Sequence, residues 1–196
     1  NGAWFHSDHL WVQNEDTAKL PQKVDRRSFK QLLAFDAPKA RTPQESLQCL
    51  QARDGFTVEL VAAEPLVLDP VAFEWGADGK LWVAEMGDYP LGLDGQGKPG
   101  GVVRYLEDTD KDGKYDRSTV FLSGLNFPTG VMPWGKGVLV SAAPEILYAE
   151  DTNGDGKADL RKVLFSGFRE GNQQHRMNGF ELGLDNWIYA ANGDSG

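Results

Sequence analysis

Cysteine occurs once, at Cys49, so no intrachain disulfide can form, and no paired Cys/His spacing exists for covalent haem or a structural zinc. No apolar run approaches the ~18 to 20 residues with which a helix crosses a bilayer, so no transmembrane segment is expected. Basic residues are in deficit, 20 Lys and Arg against 29 Asp and Glu, for a net charge of -9. A chain this acidic and without a basic cluster lacks the cations that displace counterions from a phosphate backbone, and nucleic acid is excluded as a partner. Histidine occurs only three times. His6 and His9, in FHSDHL, have the i, i+3 spacing of a metal pair, but two His in a terminal segment read better as solvent-exposed bystanders. No charged n-region followed by an apolar stretch opens the chain at Asn1, so any signal peptide is expected to have been removed or not included. The last residues, Asp194-Ser195-Gly196, follow directly on a strand-like segment, and the expectation is a fragment of a longer protein.

What is present is aromatic and glycine-rich: six Trp, ten Phe, five Tyr and 23 Gly in 196 residues. Aromatic runs punctuated by turn residues predict an all-β fold. Residues 1–54 read as an extension with short helices. Thr42-Pro43-Gln44-Glu45 combines an N-cap hydroxyl, Pro at the first helical position and Glu closing a capping box, which predicts a helix from Pro43 to about Gln51. A weaker helical pattern spans Ser28 to Phe35.

Residues 55–196 carry an internal repeat. Tyr105 to Leu125 (YLEDTDKDGKYDRSTVFLSGL) aligns without a gap onto Tyr148 to Phe168 (YAEDTNGDGKADLRKVLFSGF), 43 positions on. FEWGADGKLW at 73–82 is echoed by FELGLDNWIY at 180–189, with a shorter copy at 130–140. These units predict four-stranded antiparallel blades, the first at 71–76, 80–86, 101–107 and 118–124, the second at 130–134, 137–142, 145–150 and 161–167. A third begins at 179–183 and 187–192. Such a repeat is the signature of a β-propeller, of which this chain would supply about two and a half blades. Phe56 to Val61 is a further predicted strand, placed to close the ring by completing its last blade.

Each repeat sets an acidic loop between its third and fourth strands. In the first, Asp108, Asp110 and Asp112 occupy positions 1, 3 and 5, Gly113 position 6, the Lys114 carbonyl position 7 and Asp116 position 9. In the second, Asp151, Asn153, Asp155, Gly156, Lys157 and Asp159 repeat the pattern. Converging oxygens around a glycine turn make a hard cage suited to Ca²⁺. Position 12 holds Thr119 or Lys162 rather than the bidentate Glu of an EF-hand, and the flanks read as strands. The loops are similar to those carried on hairpins in integrin-type propellers, and a structural role is expected. An ordinary Asp/Asn/Gly turn is the plainer reading; the repeat in register and the mutual repulsion of the carboxylates favour the cage.

The remaining candidate chemistry lies in QQHRMNG at 173–179 and in Gly193-Asp194. His175 falls at the end of an insertion before the third blade's innermost strand, and Asp194 ends the next strand, which runs back to the same mouth of the ring. A carboxylate that fixes the imidazole tautomer makes His175 a candidate general base. The alternative is a polar connecting loop and a simple turn.

The run HRMNGFELGLDNWIYAANGDSG resembles the segment of soluble quinoprotein glucose and aldose sugar dehydrogenases that carries their catalytic His, a strand turn and a following Gly-Asp; Asn178-Gly179 departs from the Ser-Gly-type continuation there. Over residues 42–196, TPQESLQCLQARDGFTVELVAAEPLVLDPVAF, LWVAEMGDYP, EDTDKDGKYDRSTVF, FPTGVMPW and QHRMNGFELGLDNWIYAANG resemble the N-terminal propeller of large membrane-bound dehydrogenases of planctomycetes and verrucomicrobia. The resemblance implies a six-bladed propeller, sugar or alcohol oxidation with pyrroloquinoline quinone (PQQ) as hydride acceptor, His175 as proton acceptor and Asp194 as its support. It also implies an electron acceptor such as a cytochrome, haem only where a downstream domain carries it, and a periplasmic or cell-envelope location. A non-catalytic, calcium-stabilised propeller that binds a glycan or protein partner is the alternative.

Overall fold

The computed structural model describes residues 2–6, 9–13, 28, 30, 31 and 40–193. The chain divides into two compact units, residues 1–51 and 52–196.

The first unit departs from the expected extension of short helices. Strands β1 (Gly2–His6) and β2 (His9–Gln13) form an antiparallel hairpin whose register runs from Gly2 opposite Gln13 to His6 opposite His9. GAWFH and HLWVQ are short runs with aromatic and β-branched residues, a strand preference that the helical cues further along obscured. Helix α1 spans Pro43–Leu47 and is capped as expected: the Glu45 amide donates to Thr42 Oγ1 at 3.2 Å and the Thr42 amide to Glu45 Oε2 at 2.8 Å. It stops short of Gln51 because no residue of α1 is buried, so capping sustains little more than one turn without packing. Lys30 and Gln31 are helical, with Ser28 and Gln31 capping each other. The rest of the helix expected to Phe35 lies outside the described residues.

The second unit is all-β and antiparallel. Strands β3 (Pro70–Trp75), β4 (Leu81–Glu85), β5 (Gly101–Glu107) and β6 (Arg117–Leu125) form one four-stranded meander. Strands β7 (Gly130–Trp134), β8 (Gly137–Ala142), β9 (Glu145–Glu150) and β10 (Leu160–Ser166) form a second, and β11 (Asn178–Leu182) with β12 (Ile188–Ala191) a two-stranded ribbon. All ten fall where the repeat places them. The first strand of each sheet neighbours the first strand of the next, β3 beside β7 and β7 beside β11. Gly130 makes this approach feasible, since a Cβ there would lie 2.7 Å from Ser141 Oγ and 3.3 Å from the Gly179 amide nitrogen.

The sheets pack face to face. Trp82, Val103, Phe121 and Leu122 of the first meet Val131, Val138, Val140 and Leu147 of the second. Trp82 stands edge-on to Phe121 at 4.8 Å between ring centroids. On the opposite face of the first sheet, Leu81, Val83 and Leu106 are covered by Ala62, Leu66 and Val67. Every residue of β4 and β8 is buried, in keeping with the unbroken apolar or small runs LWVA and GVLVSA rather than alternating ones. Each large apolar side chain buried here contributes about 1.5 to 3 kcal/mol relative to exposure.

The strand expected at Phe56 to Val61 does not form. The segment pairs with no strand, and Phe56 is 71% exposed. A strand needs a ladder partner as well as a β-prone sequence, and none lies beside this segment among the described residues. Its one backbone link to the sheet runs from the Tyr115 amide, which donates to the Val61 carbonyl at 2.8 Å, just as the Ala158 amide donates to the Phe121 carbonyl at 2.8 Å. Tyr115 and Ala158 are equivalent positions of the two repeats. Val61 thus stands to the first sheet as Phe121, on the outer strand β6, stands to the second.

Candidate functional site

The two acidic loops are bonded in similar ways, each around its first Asp. Asp108 accepts the amides of Lys111, Asp112 and Gly113, and Asp151 those of Asn153, Gly154 and Gly156. The Lys114 and Lys157 amides donate to Asp112 and Asp155, each at 2.8 Å. Asp108, Asp110 and Asp112 each offer an oxygen within 4.8 Å of the others. The position-9 carboxylates serve differently: Asp116 accepts the amide and hydroxyl of Thr109, and Asp159 those of Thr152. The Thr109 hydroxyl bond holds Asp116 below the usual carboxylate range, and the Thr152 amide does the same for Asp159. The three converging oxygens of the first loop suit a hard cation, whereas Asp116 and Asp159 staple the loop ends.

A separate cleft of about 740 Å³ opens where β3, β7 and β11 begin. Its polar wall comprises Asp69, Tyr89, Thr129, Gln173, Gln174 and Asn178, with Val71 and Met86 among its apolar members. The segment before β11 is anchored to the β4–β5 connection: Gln174 Nε2 donates to Tyr89 Oη at 2.8 Å and Gln173 Nε2 to the Pro90 carbonyl at 3.0 Å. Gln173–His175 forms a single 3-10 turn, which Asn172 caps by accepting the Gln174 amide at 2.9 Å. Thr129 Oγ1 donates to the Met177 carbonyl at 2.6 Å, fixing the other end of the turn to the start of β7.

Behind this wall sit two buried charged residues. Asp88, 1% exposed, accepts the amides of Gly100 at 3.1 Å and Phe127 at 3.0 Å. Arg176, 5% exposed, donates twice to the Glu170 carbonyl and lies over the Phe127 ring, 4.8 Å from its centroid. Burial pushes the Arg176 guanidinium below its ordinary value, opposed by the charges of Glu170 and Asp88. Asp88 and Arg176 therefore grip Phe127 from its two sides and hold the turn against the first sheet.

A family model described as "Domain of unknown function (DUF7133)" matches residues 42–196. The chain belongs to this family. No curated protein and no solved structure matches it.

In this DUF7133 member the expected site residues fall into separate places. The first-loop and second-loop residues lie on the β5–β6 and β9–β10 connections, away from the cleft lining. His175 is exposed and is not among the residues that line the cleft; it stands between Gln174, which does line it, and Arg176, which is buried. Asp194 lies outside the described residues. The residue before it, Gly193, is packed so closely on His175 that a Cβ would overlap the His175 carbonyl. Asp69, Tyr89 and Thr129 line the cleft without having been singled out from sequence. The available signal was positional: Asp69 and Thr129 immediately precede the first strands of consecutive repeats.

Proposed function

We propose that the chain is the N-terminal part of a β-propeller dehydrogenase that acts on a sugar or alcohol hydroxyl, and that the cleft is where those hydroxyls bind. The side-by-side first strands, the packing on both faces of the first sheet's central strand and the equivalence of Val61 with Phe121 support the propeller reading. The cleft wall supports the ligand class. Amides, a hydroxyl, a phenol and one carboxylate are hydrogen-bonding partners for a polyol, and the Tyr89 ring offers it an apolar face.

In this reading His175, next in the chain to the cleft-lining Gln174, accepts the proton of the reacting hydroxyl, Asp194 orients it, and the Gln174–Tyr89 and Thr129–Met177 bonds hold its turn in place. PQQ, implied by the resemblance, would supply the hydride acceptor. It carries three carboxylates, whereas the described cleft wall has Asp69 and no Lys or Arg, so these residues do not fit that group by themselves. The acidic loops would hold Ca²⁺ as structural ions, consistent with an extracytoplasmic location.

The observation that carries the proposal is the anchored His175 turn beside a polar cleft. It is tested with the full-length protein supplied with PQQ and Ca²⁺, an aldose and an artificial electron acceptor. Acceptor reduction that His175→Ala abolishes is expected. Sugar binding without reduction would favour the non-catalytic glycan-binding propeller, and no sugar binding would contradict both.

A further inference from the structure

Asp69 is the only charged residue in the described wall of the cleft, and its placement is built rather than incidental. Its φ of 44° is in the left-handed region, which L residues other than Asn and Asp rarely visit. The residues around it are pinned from the sheet. The Met86 amide donates to the Asp69 carbonyl at 3.1 Å. The preceding Leu68 amide donates to Glu85 Oε1 at 2.6 Å, and Glu85 is buried beside Arg104, whose Nε lies 2.7 Å from the same oxygen. Arg104 is held in turn by donating to Ser118 Oγ at 2.8 Å. The buried pair thus fixes the backbone that carries an exposed carboxylate, and no described group forms a hydrogen bond to that carboxylate. Local strain maintained by its surroundings in this way is characteristic of binding positions.

We infer that Asp69 selects the charge of the ligand, so that the cleft takes an amine-bearing polyol in preference to a neutral one and rejects an anionic one. The inference rests on the polyol reading of the cleft and narrows it. A carboxylate facing an ammonium in an open cleft contributes at most a modest amount after solvent screening, about a fivefold preference. Facing a second carboxylate it acts in the opposite sense. The chain's net charge of -9 adds to that discrimination.

Calorimetric titration of the full-length protein with glucosamine, glucose and glucuronate at low salt tests this. The expected order of affinity is glucosamine, then glucose, then glucuronate, with about fivefold between the first two. Asp69→Asn removes the charge while keeping a residue that tolerates a left-handed backbone, and it should collapse the order. Raising the salt to about 1 M, where the screening length falls to ~3 Å, should compress it in the native chain. Glucuronate binding as tightly as glucose, or an order unchanged in Asp69→Asn, would overturn the inference and leave the polyol reading standing. Failure of all three sugars to bind would overturn the polyol reading and the inference with it.

Discussion

Glu85 and Arg104 position the cleft from inside the first sheet, and the cost of separating them sets the scale of what single residues do here. Arg104→Ala leaves the Glu85 carboxylate buried, its only remaining hydrogen bond the one from the Leu68 amide. The expected loss is about 3 to 5 kcal/mol in urea unfolding, most of which the double variant Glu85→Gln/Arg104→Met should recover. Gly193→Ala is expected to displace the His175 turn, because the added Cβ meets the His175 carbonyl. Amide shifts at Gln174 and His175 would report this, and unchanged shifts would place Gly193 further from the turn. His175 and Asp194 could be picked out in the sequence as a polar pair flanking a strand hairpin. Tyr89 could not, and Asp69 and Thr129 were marked only by their place before the first strands of consecutive repeats. They come from three connections that only the sheet-to-sheet packing brings together, and no local pattern marks their convergence.

At the scale of elements, the ten strands of the second unit were legible because Gly and Asp turns bound short apolar runs and because each run recurs. The strand expected at Phe56–Val61 shows the limit, since pleat and hydrophobicity are local properties and a ladder partner is not. The N-terminal hairpin was missed for the complementary reason, its two strands being short and set among helical cues.

The acidic hairpins make two predictions. If they hold Ca²⁺, calorimetry should give two sites per chain and Asp112→Ala one; an unchanged stoichiometry would contradict the cage. Without Ca²⁺, Asp116 and Asp159 have folded-state values below those of the unfolded chain. Their contribution to stability is therefore fully present above the ordinary Asp value of about 3.9 and is lost as the pH falls through the lower folded values. Amide exchange at Thr109 and Thr152 should accelerate in that acid window. Thr109→Val, which removes the hydroxyl donor to Asp116, should move the onset at Thr109 to higher pH and leave Thr152 unchanged.

At the scale of the whole molecule, several apolar surfaces are uncovered among the described residues, two of them at opposite ends of the repeat. Phe56 and Val58 lie at one, and Leu160, Val163, Leu164 and Phe165 along β10 at the other. The contrast with β6 is informative. Gly156 and Ala158 of the second loop lie over β6, with the Ala158 amide on the Phe121 carbonyl, and no described loop does this for β10. An exposed apolar outer strand invites association, so the 196-residue chain is expected to self-associate in sedimentation experiments, and Val163→Lys with Phe165→Lys to reduce it.

If the cleft at the starts of β3, β7 and β11 binds a polyol, an amide-resolved NMR titration of the ¹⁵N-labelled chain with glucose will locate the sugar there. Saturable shifts centred on Asp69, Tyr89, Thr129, Gln174 and Asn178 are the expected result. Shifts centred on the acidic loops or the β10 face, or none at any sugar concentration, would contradict the account.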